Sequence, residues 1–173
     1  PTDGYEYIRS GNPTRKALEA KLASLENGRH GLAFASGLAA ETAIFLALLK
    51  SGDHVIAFDD LYGGTRRLLD KIFQQNLAVE VSYVDARDPE NIQQAIKKNT
   101  RLIWLESPTN PLMKLCDIRT ISQLAHQQNI PVVADNPFMS PYFQQPLQLG
   151  ADIVMHSSTK YLNGHSDSLG GAV

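Results

Sequence analysis

Residues 155–167 read MHSSTKYLNGHSD and follow the short apolar run GADIV. The segment sets one amine, Lys160, among the hydroxyls of Ser157, Ser158, Thr159 and Tyr161, directly behind what reads as a buried strand. A lysine that only needs water sits on a helix face. One held in cationic or desolvating surroundings has a lowered pKa and can condense with an aldehyde. Other residues with useful chemistry recur at the same kind of place, just past an apolar run. Asp135 closes PVVAD, Tyr62 lies beyond HVIAF, and Asn110 stands between prolines in LESPTNPL. Ser36, Gly37 and Leu38 open an alanine- and leucine-rich helix. A buried carboxylate can hold a cationic ring nitrogen, a ring can stack on a flat ligand, and a rigid loop can fix an amide donor. The N–H groups of a helix start are suited to a phosphate.

Taken singly, each feature has an ordinary reading. Asp135 can be a turn former, Tyr62 a lid on the core, Asn110 a turn residue, and Ser36-Gly37 a plain helix cap. Cys116 reads as a small hydrophobe rather than a nucleophile. The conjunction is more informative. An amine, a carboxylate, a stacking ring and a phosphate cradle are the separate demands of pyridoxal 5′-phosphate. The chain contains neither G-x-x-x-x-G-K-[ST] nor G-x-G-x-x-G, so nucleoside triphosphate and dinucleotide binding lose their main support. Its five histidines show no H-E-x-x-H spacing and no cysteine pair, so no metal is expected.

The elements that must carry these residues alternate. Strands are expected at 30–36, 54–58, 78–84, 101–106, 131–135 and 152–157. Between them, helices are expected from Pro13 to about Gly28 after an Asn12 cap, and at 37–50, 62–76, 88–99 and 117–129. Leu18, Leu22 and Leu25 share one face of the first helix, and Leu68, Leu69, Ile72 and Phe73 are expected to face inward. This pattern implies an α/β fold, a mainly parallel sheet with helices on both faces. In such sheets ligands bind beyond the carboxyl ends of the strands, where all the candidates fall. Residues 1–12 lack periodicity and read as an arm carrying Tyr7 and Arg9, able to reach a phosphate, including one in a neighbouring subunit.

The chain has 173 residues, 43% of them hydrophobic and 20% charged, and a formal net charge of −2. That balance suits one globular domain and disfavours a nucleic-acid or membrane-surface partner. The single cysteine cannot form an internal disulfide, so a reducing, cytoplasmic setting is expected. No apolar run approaches a membrane span. Both ends read as cut, which suggests part of a larger protein.

YIRSGNPT, FASGLAA, DDLYGGT, ESPTNPL, ADNPFMSPYF and SSTKYLNGHSD occur in this order across nearly the whole chain. With these stretches it resembles the Cys/Met-metabolism family of pyridoxal-phosphate-dependent transsulfuration enzymes. The resemblance implies a fold-type I large domain over residues 13–173, with a seven-stranded, mostly parallel sheet and a small C-terminal domain outside this chain. It implies Lys160 as the lysine joined to the cofactor, Asp135 at the pyridine nitrogen, and Tyr62 stacked on the ring and assisting the leaving group. Gly37 and Leu38 would offer N–H groups to the phosphate, Ser157 and Thr159 hydroxyls, and Asn110 a bond to the phenolic oxygen. Tyr7 and Arg9 would reach the phosphate of a neighbouring subunit, in a homotetramer of dimers that share sites. The implied substrate is a small sulfur amino acid, and the implied reaction is γ-elimination of cystathionine to cysteine, 2-oxobutyrate and ammonia. β-Elimination, cystathionine synthesis, methionine γ-elimination and sulfhydrylation of homoserine esters share the motifs. Aminotransfer on the same fold and a non-catalytic α/β binding module are the rivals outside the family. One departure is Pro137, where the family has threonine after Asp-Asn. It removes a hydrogen-bond donor and leaves Asp135 intact.

Overall fold

A computed structural model describes residues 4–173. Its centre is a five-stranded parallel sheet in the order β3-β2-β4-β5-β6, formed by Glu80–Val84, His54–Phe58, Thr100–Glu106, Val132–Asp135 and Ile153–Met155. β2 and β5 are buried at every residue, and β4 at all but Arg101, so both faces of the central sheet are covered. Two further strands, β1 (Ala33–Phe34) and β7 (Gly171–Ala172), pair antiparallel with each other. A single antiparallel bridge, His156 to Ala172, ties that pair to the end of β6. Seven strands are present and mostly parallel, but as five plus two rather than one uninterrupted ladder. The expected strand at 30–36 shrinks to two residues, because among the described residues its only strand partner is the equally short β7.

The helices begin where local chemistry directs. α1 (Pro13–Leu25) starts with the Asn12 side chain accepting from Arg15 N–H at 3.0 Å and Pro13 in the first position. It ends before Gly28, with Asn27 in the left-handed region at φ 55°. Its leucine stripe does not face the core: α1 has no buried residue, and Leu18 and Leu25 are exposed. α2 (Gly37–Leu48) carries the Ser36 cap, α5 (Pro89–Ala95) the Asp88 cap and α6 (Ile118–His126) the Asp117 cap. The helix expected at 62–76 runs as α3 (Gly63–Arg67), a π-helical stretch (Leu68–Gln74) and α4 (Gln75–Leu77). The wider π turn alters which side chains share a face. Leu69 and Phe73 are buried, Leu68 is half-buried and Ile72 is exposed, which corrects the expected inward set. Residues 136–151, which show no period, form α7 (Ser140–Phe143) and a 3-10 turn (Pro146–Leu149).

Phe45 of α2, Phe73 of the π stretch and Trp104 of β4 form the aromatic centre of the core. Phe45 packs on Trp104 at 4.6 Å and on Phe73 at 5.2 Å between ring centroids. At the amino end of the sheet, His54 bridges Thr100 Oγ1 and Ser82 Oγ at 2.8 and 2.9 Å, joining β2 to both neighbours. Burial pulls its pKa below the usual value, so the imidazole works there as a neutral structural link.

β7 also fixes the start of α2. A Cβ built on Gly171 would overlap the Ser36 carbonyl and lie 3.0 Å from Gly37 N. Gly171→Ala should therefore lower unfolding stability by roughly 1–3 kcal/mol, seen as a lower urea midpoint. An unchanged midpoint would contradict this close approach.

Candidate active site

The order β3-β2-β4 reverses the direction of strand addition, which places a crevice beyond the carboxyl ends of β2 and β4. There the chain forms a cavity of about 190 Å³. Eight of the residues expected from the sequence line it together: Gly37, Leu38, Tyr62, Asn110, Asp135, Ser157, Thr159 and Lys160. Tyr7 and Arg9 do not. Arg9 stacks over the Tyr7 ring at 5.1 Å on an exposed turn, whose Tyr7 carbonyl accepts from Ser10 and Gly11 N–H. Of the expected arm, residues 1–3 lie outside the described residues.

The wall nearest α2 has the form of an anion cradle. Ser36 Oγ accepts from Ala39 N–H at 3.1 Å, and Ser36 O accepts from Ala40 N–H at 3.1 Å. Those bonds use the third and fourth N–H groups of the first turn, which leaves Gly37 and Leu38 to face a ligand. A Cβ at Gly37 would stand 3.0 Å from Ser157 Cβ and 3.2 Å from its hydroxyl, so glycine admits the close approach of the two walls. Thr159 is less free. Its hydroxyl donates to Gly170 O at 3.2 Å and accepts from Gly170 N–H at 3.1 Å. Lys160 follows on the same turn, its backbone N–H bonded to Ser157 O at 3.1 Å.

The floor is acidic. Glu106 and Asp135 end adjacent parallel strands and are register partners, so their side chains leave the same face of the sheet. Glu41 of α2 completes the group, and all three are buried. Burial first, then the charges of Glu106 and Glu41, raise the Asp135 carboxyl well above its usual pKa. Burial pushes Glu41 up to about 7, with Glu106 adding to the rise against the pull of the Thr65 hydroxyl. Burial likewise lifts Glu106 to about 7, against the pull of Tyr62 and Asn110 N–H, and Asp60 adds to the rise. The sequence singled out Asp135 alone. Glu106 could have been found as the last residue of an apolar strand beside Asp135. Glu41 could have been found as the one charge in a helix that is otherwise almost wholly apolar.

These raised values set a pH dependence for the cofactor-free protein. A carboxyl with a folded pKa above its unfolded one contributes stability that is complete below about pH 4.5 and lost as pH rises through about 7. Each of Glu41 and Glu106 would account for on the order of 3 kcal/mol across that window. Asp85, held down to about 2 by Arg87, acts oppositely, losing its contribution only as pH falls below its ordinary value. Urea unfolding of cofactor-free protein should thus show stability falling from pH 5 to pH 8, with a shallower fall in Glu41→Gln. A flat or rising profile would contradict the buried acid cluster.

The remaining walls are held by hydrogen bonds away from the cavity. Asn136 Nδ2 donates to Gln144 O at 3.0 Å, and Gln144 Nε2 donates to Asn136 Oδ1 and Ser107 O at 2.9 and 2.7 Å. Pro137 projects from this locked loop into the cavity lining. Asp60 accepts from Leu112 N–H at 2.9 Å and from the Thr109 hydroxyl, fixing the loop that carries Asn110. Lys114 is tied to Asp59 at 2.8 and 2.9 Å and does not line the cavity. Cys116 is half-buried, and burial pushes its thiol up to about 11, so it is an inert packing group. A larger cavity of about 490 Å³ lies among α1, β6 and β7, next to the buried His156–Glu26 pair at 2.5 Å. It holds none of the candidate residues and is mainly apolar, so chemistry rather than volume selects the site. Among the described residues no group of His, Cys, Asp and Glu is arranged to hold a metal, and no helix is long and apolar enough to cross a membrane.

Comparison with known proteins supplies the family. The pattern described as Cys/Met metabolism PLP-dependent enzyme matches residues 1–173. The chain belongs to this family. A probable cystathionine gamma-synthase of Herpetosiphon aurantiacus is 54% identical over 98% of this chain and 53% of its own length. A cystathionine beta-lyase of Coxiella burnetii is 51% identical over 97% of this chain and 43% of its own length. The crystal structure of a cystathionine gamma-lyase from Lactobacillus plantarum, complexed with L-serine, superposes with a TM-score of 0.95 at 47% identity, covering 99% of this chain and 44% of that one. The chain thus spans about half the length of the curated relatives it matches.

The residues present fit the family's cofactor. Asp135 Oδ1 is buried without a hydrogen-bond partner, and Glu41 Oε2 shares that state. A buried carboxylate oxygen left unpaired is costly unless a donor arrives, and a protonated ring nitrogen is such a donor. The glycine-lined start of α2 faces the same cavity, at a place where a dianionic phosphate could be held.

Proposed function

We propose that the chain is the pyridoxal-phosphate-binding large domain (residues 13–173) of a carbon–sulfur lyase that splits cystathionine by γ-elimination. The observation that carries this reading is the meeting of Lys160, Tyr62, Asn110 and Gly37 around one cavity with the unpaired oxygen of Asp135. Lys160 would hold the cofactor through its amine, Asp135 its ring nitrogen and Tyr62 the face of its ring. Asn110 would hold the phenolic oxygen, and Gly37, Leu38 and Ser157 the phosphate. Thr159 braces that wall through Gly170, and its hydroxyl would bond the phosphate by turning its proton away from Gly170 O. When bound, pyridoxal phosphate supplies an electron sink that acidifies the substrate's Cα–H.

The chain's own residues then divide the work. Asp135 remains ionised beside the ring nitrogen and keeps its proton in place, which offsets the carboxylate's burial. Lys160 Nζ, displaced by the substrate amine, would take the Cα proton, hand it on to recover its lone pair, and only then take a proton from Cβ. Tyr62 can return a proton to the departing cysteine sulfur. Tyr62 is partly exposed, which suits a group that must meet both cofactor and substrate. With one water consumed, cystathionine yields cysteine, 2-oxobutyrate and ammonia.

The exposed turn with Tyr7 and Arg9, and α1 with its uncovered leucines, fit an arm (residues 1–12) that serves a neighbouring subunit's phosphate in a homotetramer. A cytoplasmic setting accords with the lone free thiol. The test is keto-acid identity when the intact enzyme is given cystathionine. 2-Oxobutyrate supports γ-elimination. Pyruvate would make it a β-lyase, and cystathionine formed from an activated homoserine would make it a synthase, the two activities named for relatives above 50% identity.

A further inference from the structure

Two residues assigned to the cofactor, Tyr62 and Asn110, sit on different loops, one after β2 and one after β4. Neither loop is regular at that point, and 48 residues separate them in sequence. Something must set their spacing. Glu106 is the only side chain that the described residues bond to both backbones. Its Oε2 accepts from Tyr62 N–H at 2.8 Å and its Oε1 accepts from Asn110 N–H at 2.8 Å. The carboxylate is buried, and its Cα is fixed in the ladder by the register with Asp135. We infer that Glu106 is a positioning residue that clamps the Tyr62 and Asn110 loops at a fixed separation across the cavity and so sets ring stacking and the phenolic-oxygen bond together. This rests on the roles given to Tyr62 and Asn110 above.

The chemistry of the clamp is specific. A carboxylate offers an acceptor to each amide, and both bonds are charge-assisted. Glutamine at the same place keeps the shape but must turn an NH₂ toward one of the two N–H groups. Aspartate keeps the charge but is one methylene too short to hold both loops where they stand. The groups that face Glu106 are Glu41, Asp135 and Asp60, with Lys160 and the Tyr62 phenol on the same cavity. A second role, that of a buried charge that merely stabilises the fold, predicts different behaviour. Removal of a partly compensated buried carboxylate would alter stability without reaching the cofactor.

The experiment uses the intact holoenzyme and reads the visible band of the lysine-bound cofactor. Borohydride reduction and peptide mapping of the wild type come first. A pyridoxyl group on Lys160 upholds the underlying reading, and its absence overturns both that reading and the clamp. The pH titration of the visible band is then compared in wild type, Glu106→Gln, Glu106→Asp and Asn110→Ala. A donor to the phenolic oxygen lowers the proton affinity of the chromophore, so loosening Asn110 should move the midpoint upward by about one pH unit. Both Glu106 variants should show that upward shift and about tenfold weaker cofactor binding, and adding Asn110→Ala to Glu106→Gln should produce little further movement. The Glu106→Asp arm keeps the test decisive if the glutamine variant does not fold. Wild-type midpoint and affinity in a folded Glu106 variant, or shifts that add fully in the double variant, would overturn the clamp.

Discussion

Replacing Lys160 with alanine should leave a folded protein that no longer carries covalently bound pyridoxal phosphate and has lost at least about 10³-fold in kcat. The two halves of this result come from different parts of the structure. Lys160 is an exposed residue on a turn, and the turn is held by backbone atoms and by Thr159 rather than by the lysine side chain. Exposed side chains of this kind change stability within about 0.5 kcal/mol. The loss of function follows from the proposed mechanism, in which the same amine both anchors the cofactor and moves the protons. Peptide mapping after borohydride reduction checks the anchor, and steady-state kinetics on the intact enzyme checks the rate. A pyridoxyl group on Lys114 or any other lysine would sink the assignment. Lys114 is a poor rival on geometry, since its ammonium is engaged by both oxygens of Asp59 outside the cavity.

For Asp135→Asn the expected result is a crossing of two curves. The cofactor-free variant should be at least as stable as the wild type, with a gain that grows as pH rises above the ordinary carboxylate range. In the wild type that rise forces charge onto a buried, unpaired carboxyl beside two other acids. The loaded variant should fare worse. Asparagine cannot keep the ring nitrogen protonated, so kcat should fall by about 10²–10³ and the thermal shift on adding pyridoxal phosphate should shrink markedly. Thermal unfolding with and without the cofactor gives both curves in one measurement. An undiminished shift in the variant would remove Asp135 from the ring nitrogen.

Most of this site could be read from the chain because it is built at strand ends. A short apolar run followed by a polar residue marks a place where a buried strand meets solvent, and parallel topology gathers such places at one edge. Lys160, Asp135, Tyr62, Asn110 and the Ser36-Gly37 helix start were all legible in that way. Glu106 was not, because its importance lies in two backbone N–H groups and not in a recognisable motif. Glu41 was hidden inside an alanine-rich helix whose depth of burial only the tertiary structure sets. The same limit explains Ile72 and the first helix. A period of 3.6 presumes α geometry, and the π stretch departs from it. The leucine stripe of α1 is apolar in sequence, yet within one chain Leu18 and Leu25 stay exposed and Leu22 is only half-buried. The five-plus-two division of the strands escaped for a related reason. β1 and β7 are two residues each and draw their ladder from a pairing across the whole length of the chain.

The loop that carries the lysine is closed at its base. Ala172 and His156 exchange backbone bonds of 2.9 Å in both directions, and a little further out Thr159 holds both polar atoms of the Gly170 backbone. The segment between them therefore hangs from a double-stitched seam. Any travel that the proposed mechanism asks of the amine, from anchoring the cofactor to reaching two successive carbons of a substrate, would then come from its own four methylenes swinging over a main chain pinned at its base.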